Sequence, residues 1–185
     1  MTNTGRYIRA VLWDMDGTLM DSQPLWDESF RNCCRERGGT VTPEQVAGIA
    51  GASIARTCEL IAETGATASP EDPATAEVFA KISAQVEAAV RADPPILPGA
   101  RSITATLNEI GLAQVIVTQS PRPIVEAVAH ALGDVFVELV TGDDGLPGKP
   151  TPAPYAAAIE RLGLSPEECV VVEDSATGAA SARSN

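Results

Sequence analysis

The stretch VLWDMDGT at residues 11–18 places two aspartates directly after a run of apolar residues. Because side chains alternate between the two faces of a β-strand, Asp14 and Asp16 would point to the same side where the strand ends. Gly17 allows the backbone to turn sharply at that point. Two carboxylates so close repel each other unless a cation lies between them, and Mg²⁺ prefers such hard oxygen ligands. A carboxylate can also attack phosphorus as a covalent nucleophile, although the same residues would suit an acidic turn without chemistry.

Three later segments carry polar residues that suit the same chemistry, and they are VIVTQS (115–120), GKPTP (148–152) and VVVEDSATG (170–178). The first is an apolar run that leads into Thr118, and the last leads into Glu173 and Asp174. The middle segment supplies Lys149 between a glycine and a proline. Together with DMDGTLMDS, and in this order, these segments resemble the four motifs of the haloacid dehalogenase superfamily of phosphohydrolases. The resemblance covers nearly the whole chain and points to the phosphatase and phosphoglucomutase-like subfamily with a helical cap.

The resemblance implies a division of labour for phosphoryl transfer. Asp14 would be the nucleophile that forms an aspartyl-phosphate, and Asp16 would act as acid and then as base. The implied phosphate-binding residues are Met15, Asp16, Thr118, Gln119 and Lys149. Mg²⁺ is the implied cofactor, and its implied ligands are Asp14, Asp16 through its carbonyl, Glu173 and Asp174.

The order of predicted elements favours an α/β fold with a doubly wound, Rossmann-like parallel sheet. Apolar segments typical of strands alternate with segments of helical periodicity, an order that predicts parallel strands with helices on both faces. In such sheets ligands bind beyond the carboxyl ends of the strands, which is where the motif residues fall. The predicted strands are 113–118, 135–140 and 169–172, and the predicted helices are 100–110, 122–132 and 152–162.

The 24–93 segment contains no strand pattern, and its apolar residues recur at helical spacing in four stretches. The family resemblance assigns such an insert to a small helical cap. We therefore predict a cap at 21–95 and a discontinuous core at 1–20 and 96–185. Arg56 could reach a substrate from the cap, although most arginines stay in solvent.

Composition excludes several classes of protein. The 185 residues, of which 44% are hydrophobic, suffice for one core with a modest insert. A net charge of −12 argues against nucleic acid but allows a small phosphorylated metabolite whose charge a metal and one lysine would offset. No apolar run reaches ~18 residues, and the N-terminus MTNTGRYIRAV does not resemble a signal peptide. Four cysteines without C-x-x-C spacing suggest reduced thiols, so we expect a cytoplasmic monomer that does not bind membranes.

Two features depart from the family pattern. Ala153 stands where the pattern places an aspartate after the lysine, so we expect weaker support of the lysine loop. The sequence stops at Asn185, where the family continues into at least one more strand. We therefore expect the C-terminal part of the core to be truncated, either in a fragment or in a shortened variant with an exposed strand edge.

The leading functional prediction is a magnesium-dependent phosphomonoester hydrolase that acts through an aspartyl-phosphate on a small metabolite, with sugar phosphates as one candidate class. A sugar-phosphate mutase, similar to β-phosphoglucomutase, would use the same residues and return the phosphoryl group to a substrate hydroxyl. An inactive, truncated binding protein on the same fold is the third alternative. A dehalogenase is disfavoured because that branch lacks the second aspartate, and Asp16 would have no leaving group to protonate.

Overall fold

Four short parallel strands form the centre of the molecule, in a computed structural model that describes residues 7–185. They are β1 (Ala10–Trp13), β2 (Ala113–Val117), β3 (Glu138–Val140) and β4 (Cys169–Val172), in the spatial order β3-β2-β1-β4. Trp13 of β1 is level with Ile116 of β2 and with Val172 of β4, so these strands end at the same edge of the sheet. Residues 1–6, which begin the predicted core segment and the N-terminus judged unlike a signal peptide, lie outside the described residues.

Helices precede and follow the strands along the chain. They are α1 (Gln23–Glu36), α2 (Pro43–Ala47), α3 (Ile54–Glu63), α4 (Pro73–Ala92), α5 (Ala100–Glu109), α6 (Arg122–Ala131), α7 (Ala153–Leu162) and α8 (Ala176–Arg183). Several begin or end at residues that suit the position. Thr42 accepts a hydrogen bond from the Gln45 amide before α2, the side chain of Asp72 accepts one from the Ala74 amide at 2.9 Å, and Gly163 ends α7 in the left-handed conformation.

Two predicted elements are shorter than expected. The predicted strand 135–140 forms only as Glu138–Val140, because Gly133 and Asp134 both have positive φ and turn the chain just before it. One of the four helical stretches predicted within 24–93, TPEQVAGIAG at 42–51, forms a helix only as far as Ala47, where the backbone of Gly48 caps it. The remaining predicted helices and strands agree with the structure to within one or two residues.

The central strand is buried on both faces, as a doubly wound sheet requires. Leu12 of β1 packs in a cluster with Tyr155 of α7, whereas Trp13 packs in another with Val128 of α6. The alternation of side chains along β1 therefore feeds two separate cores, one on each side of the sheet. The predicted α/β fold is confirmed.

Helices α1 to α4 build a further apolar cluster of their own. Its buried members include Phe30, Leu60, Ile61, Val78 and Ile82. Helix α4 belongs to two clusters, because Val86 and Val90 in its second half pack with the sheet and α6. No helix within residues 7–185 is long and apolar enough to cross a membrane.

The two connections between this helical segment and the sheet run side by side. The Asp21 amide donates a hydrogen bond to the Pro95 carbonyl at 2.9 Å, and the Leu97 amide donates one to the Leu19 carbonyl at 3.0 Å. The helical segment thus leaves and rejoins the sheet at one place, next to the end of β1.

Candidate active site

A tight turn after β1 carries the two aspartates of the first motif. The Asp14 amide donates to the Val172 carbonyl at 2.9 Å, which aligns the ends of β1 and β4. Gly17 has φ of +92°, and its amide donates to the Met20 carbonyl at 2.8 Å, closing the turn. A Cβ at position 17 would lie 2.2 Å from Oδ2 of Asp174, so only glycine lets the turn approach the fourth motif this closely.

Lys149 bridges two acidic side chains at the bottom of the site. Its Nζ lies 2.7 Å from Oδ1 of Asp14 and 2.5 Å from Oε1 of Glu173. The Lys149 side chain is only 4% exposed, as is that of Glu173, so solvent screens these charges weakly. Tyr155 supports the same cluster, since its hydroxyl donates to Oε1 of Glu173 at 3.1 Å and its ring centre lies 5.1 Å from the ammonium.

The other oxygen of Glu173 is also occupied. Its Oε2 accepts from the backbone amide of Ser175 at 3.0 Å and from the Ser175 hydroxyl at 2.8 Å. Gly178 lies so close that a Cβ there would fall 1.6 Å from Oε1 of Glu173. Glu173 is therefore held in one orientation, and its hydrogen bonds direct it toward Lys149.

Burial and charge shift the ionisation of these groups in different directions. Burial raises the pKa of Asp14 from 3.8 to about 7, although Lys149 opposes the shift. Burial alone would raise the pKa of Glu173 as well, but Lys149 and Ser175 hold it below its ordinary value. The pKa of Asp174 is raised, first by partial burial and then by the charge of Glu173. Asp14 and Asp174 therefore lose their protons less readily than free aspartates, and a positive charge added nearby would favour their ionised forms.

Three hydroxyl groups donate hydrogen bonds to the carboxylate of Asp16. Its Oδ2 accepts from the Thr118 hydroxyl at 3.0 Å and from the Ser120 hydroxyl at 2.7 Å, and its Oδ1 accepts from the Ser22 hydroxyl. These donors fix the carboxylate at the end of β2, beside the cavity. The contact between Asp16 and Thr118 brings the first two motifs together, across 102 residues of sequence.

The other predicted phosphate-binding residues have distinct environments. Met15 has a fully buried side chain, and its carbonyl accepts the Leu19 amide at 2.9 Å, so only its backbone remains near the turn. Gln119 instead reaches toward the helical segment, where its side-chain nitrogen donates to the Gly51 carbonyl at 2.7 Å. Thr118 and Lys149 both line the cavity. The phosphate-binding roles of these residues stay predictions.

Three hydroxyl-bearing residues of this site, Ser120, Tyr155 and Ser175, carry no role in the sequence prediction. Ser120 has a weak signal in its i+2 spacing from Thr118, and Ser175 directly follows the acidic pair of the fourth motif. Tyr155 has none, because nothing in the sequence connects it with Glu173. Ser22 belongs to the first motif, where a turn or capping role is the ordinary expectation.

A cavity of about 370 Å³ opens between the ends of the strands and the helical segment. Its sheet side is formed by the motif residues, including Asp14, Asp16, Thr118, Lys149 and Asp174. Its other side is formed by residues from α1, α3 and α4 and by the 49–52 loop. Arg56 does not line this cavity, because its guanidinium is paired with Glu59 at 2.7 Å and Glu63 at 2.8 Å on the outside of α3.

The donor set is suited to a hard divalent cation. Oxygen atoms of Asp14, Glu173 and Asp174 lie within 4.8 Å of one another. Oδ2 of Asp14 is buried and has no hydrogen-bond partner among the described residues. A buried carboxylate oxygen left without a partner is costly, and carboxylate oxygens are ligands that Mg²⁺ prefers. The arrangement thus fits a magnesium site, although both oxygens of Glu173 already have other partners.

Two known proteins with similar sequences are phosphatases. Hexitol phosphatase B of Escherichia coli is 30% identical over 180 residues, which are 95% of this chain and 79% of that protein. Hexitol phosphatase A of the same species is 33% identical over 92% of this chain and 76% of its own length. Among solved structures, β-phosphoglucomutase of Clostridium difficile shares the fold with a TM-score of 0.81, at 18% identity over 96% of this chain and 81% of that chain.

The family assignment rests on almost the entire described chain. Residues 8–185 match the haloacid dehalogenase-like hydrolases, which confirms the prediction of an enzyme of the phosphatase type in this superfamily. The four motif segments lie within the matched residues, and the fold brings them to one cavity. This chain therefore belongs to the family of haloacid dehalogenase-like hydrolases.

Proposed function

We propose that this protein is a magnesium-dependent phosphomonoester hydrolase that acts on a small phosphorylated metabolite through an aspartyl-phosphate at Asp14. The observation that carries the proposal is the state of the Asp14 carboxylate. One of its oxygens is bound to Lys149, and the other is buried beside the cavity with no partner among residues 7–185. Such an oxygen has a lone pair free for a cation or for phosphorus, and phosphatase relatives support the second role.

Of the four predicted ligands, the carboxylates of Asp14 and Asp174 and the carbonyl of Asp16 would hold the cation most directly. Glu173 supports them by holding Lys149 in place. When bound, Mg²⁺ would supply positive charge that offsets the negative charge of the phosphate and of the carboxylates. The site otherwise contains several carboxylates and a single ammonium among its described residues, so a phosphate dianion would be repelled without that charge.

The reaction would begin when an oxygen of Asp14 forms a bond to phosphorus while the bond from phosphorus to the ester oxygen breaks. The leaving oxygen takes a proton from Asp16, and Lys149 donates hydrogen bonds to the nucleophile and to the phosphate. Water then attacks the phosphorus of the aspartyl-phosphate while the bond from phosphorus to Asp14 breaks. Asp16 accepts a proton from the water, the Asp14 carboxylate is restored, and inorganic phosphate leaves. Asp16 is held by Ser22, Thr118 and Ser120 before the substrate arrives. Substrate binding would therefore redirect the Thr118 hydroxyl from Asp16 to a phosphate oxygen.

The helical segment 21–95 would act as the cap of this site. Its residues close one side of the cavity, and Gln119 links it to the sheet side through the Gly51 carbonyl. A cap over the site would exclude water from the first step and would contribute the side chains that select the substrate. Because motif residues build the side that would bind the phosphate, the helical segment would select among substrates by contacting their alcohol part.

The direct test is hydrolysis of an aryl phosphate with Mg²⁺ and after treatment with EDTA. We expect turnover that depends on Mg²⁺, and we expect Ca²⁺ to replace it poorly because its larger and looser ligand shell misplaces the reacting groups. The variant Asp174→Ala should resemble the chelated enzyme. Asp93→Ala is the matched control, since it removes an aspartate from an exposed position away from the cavity. Equal turnover after exhaustive chelation would refute the proposal.

A further inference from the structure

The cavity has two chemically different sides. The side formed by the helical segment is apolar and partly aromatic, and its main members are Trp26, Ile49, Ile54 and Phe79. Small residues of the loop between α2 and α3, such as Ala52, complete it. This side can contact the alcohol part of a phosphate ester, whereas the motif side holds the phosphate.

Two polar side chains on the apolar side, Gln23 and Thr57, already have partners. The Gln23 side-chain nitrogen donates to Asp27 at 2.6 Å, and the Thr57 hydroxyl donates to the Ser53 carbonyl at 3.1 Å. Neither group is free to bind a charged substituent of a substrate without giving up its own hydrogen bond.

Charge around the cavity is strongly one-sided. Among the described residues that line it, Lys149 is the only cation, and it is already paired with Asp14 and Glu173. Four aspartates line the same space, namely Asp14, Asp16, Asp21 and Asp174. The arginine nearest in sequence to the apolar side, Arg56, is paired with two glutamates on the outer surface of α3. A second anionic group on a substrate would therefore find apolar side chains and aspartates, with no cation to offset it.

We infer that this cavity selects phosphomonoesters of uncharged alcohols and rejects esters that carry a second phosphate or a carboxylate. The inference rests on the proposed hydrolase function and adds the substrate class to it. It also argues against a sugar-phosphate mutase, because a mutase that phosphorylates a sugar monophosphate must bind a bisphosphate. The apolar side instead offers contact to the carbon skeleton of a neutral alcohol.

The inference is tested with substrates matched in size that differ in one charged group. One pair is hydroxyethyl phosphate and phosphoglycolate, and another is a hexose monophosphate and the corresponding hexose bisphosphate. With Mg²⁺ present, we expect kcat/KM for the neutral member of each pair to exceed that for the charged member by at least about tenfold, because an unpaired buried group commonly costs that much. Equal values, or a preference for the charged member, would overturn the inference while leaving the hydrolase function intact. If no phosphomonoester is hydrolysed, the proposed function fails.

A change of charge at Ile54 tests the assignment of the apolar side. Ile54 lies at the first turn of α3, is only partly buried and lines the cavity, so Ile54→Lys would place an ammonium there. We expect kcat/KM for the hexose bisphosphate to rise by about tenfold over the wild type. The matched control is Ala55→Lys, which adds the same charge at the next residue, exposed and outside the cavity lining. It should leave kcat/KM for the hexose bisphosphate unchanged.

A second variant keeps the test valid if Ile54→Lys does not fold. Ala52→Lys introduces the charge in the loop before α3, where the side chain is partly exposed and also lines the cavity. Thermal unfolding by circular dichroism shows which of the two variants retains the fold. A gain in bisphosphate turnover in either folded variant, absent in Ala55→Lys, supports the inference. Folded variants without such a gain, or an equal gain in the control, would overturn it.

Discussion

Replacing Asp14 by asparagine should abolish turnover and at the same time stabilise the metal-free protein above neutral pH. Asparagine cannot attack phosphorus, so activity should fall below about a hundredth of the wild type. The gain in stability follows from burial. The pKa of Asp14 rises from 3.8 to about 7 in the folded protein, so ionising it there costs roughly 4 kcal/mol more than in the unfolded chain. Because asparagine gives up the charged hydrogen bond to Lys149, we expect a net gain of about 1–3 kcal/mol.

The sign of the pH dependence distinguishes this explanation from others. Between the unfolded pKa near 3.8 and the folded pKa near 7, the folded chain keeps a proton on Asp14 that the unfolded chain has lost. The wild type is therefore destabilised relative to Asp14→Asn as the pH rises through this window, and the difference levels off above it. Glu173 has a lowered pKa and contributes stability that is lost as the pH falls, but this contribution is common to both proteins.

The measurement is urea unfolding in EDTA near pH 5 and near pH 8, with the free energy of unfolding obtained by linear extrapolation. The control Asp93→Asn removes a negative charge from an exposed position and should show no such pH-dependent gain. Mg²⁺ added to the wild type should restore stability through binding to the folded state, and Asp14→Asn should respond much less. A difference between the two proteins that is the same at both pH values, or larger near pH 5, would refute the reasoning.

Three further predictions concern the surrounding residues. Asp16→Ala should slow hydrolysis of an alkyl phosphate more than that of an aryl phosphate, because the alkoxide needs a proton more; equal losses and no burst of product would reject its acid and base role. Gln119→Ala removes the hydrogen bond to the Gly51 carbonyl and should raise KM more than it lowers kcat, with protease digestion of the 49–52 loop as an independent readout; an unchanged KM would count against a link between cap and sheet. Gly178→Ala would put a Cβ 1.6 Å from Glu173, so we expect stability to fall by about 1–3 kcal/mol and Mg²⁺ to bind more weakly, whereas Gly111→Ala, strained at positive φ but far from the site, should affect stability alone.

Local rules of the chain were enough to predict most of the architecture. The strands around Trp13 and Ile116 are short, apolar and buried, and the helices between them begin and end at prolines, glycines and capping side chains that the sequence displays. The strand predicted at 135–140 is shorter in the structure for a local reason that the apolar pattern does not show. Gly133 and Asp134 turn the chain, and only three residues remain in register with β2.

The sequence by itself also determined which polar residues would meet, because the alternation of a strand places Asp14 and Asp16 on one side of its end, and parallel strands bring Thr118 and Asp174 to the same edge. Only the tertiary structure decided which partners these groups have. The contact of Tyr155 with Glu173 and the apolar side formed by Ile54 depend on how separate helices pack on the sheet. Helical periodicity shows that a helix has an apolar face but not what that face meets, because the packing that pairs distant faces sums many small contacts over the whole chain.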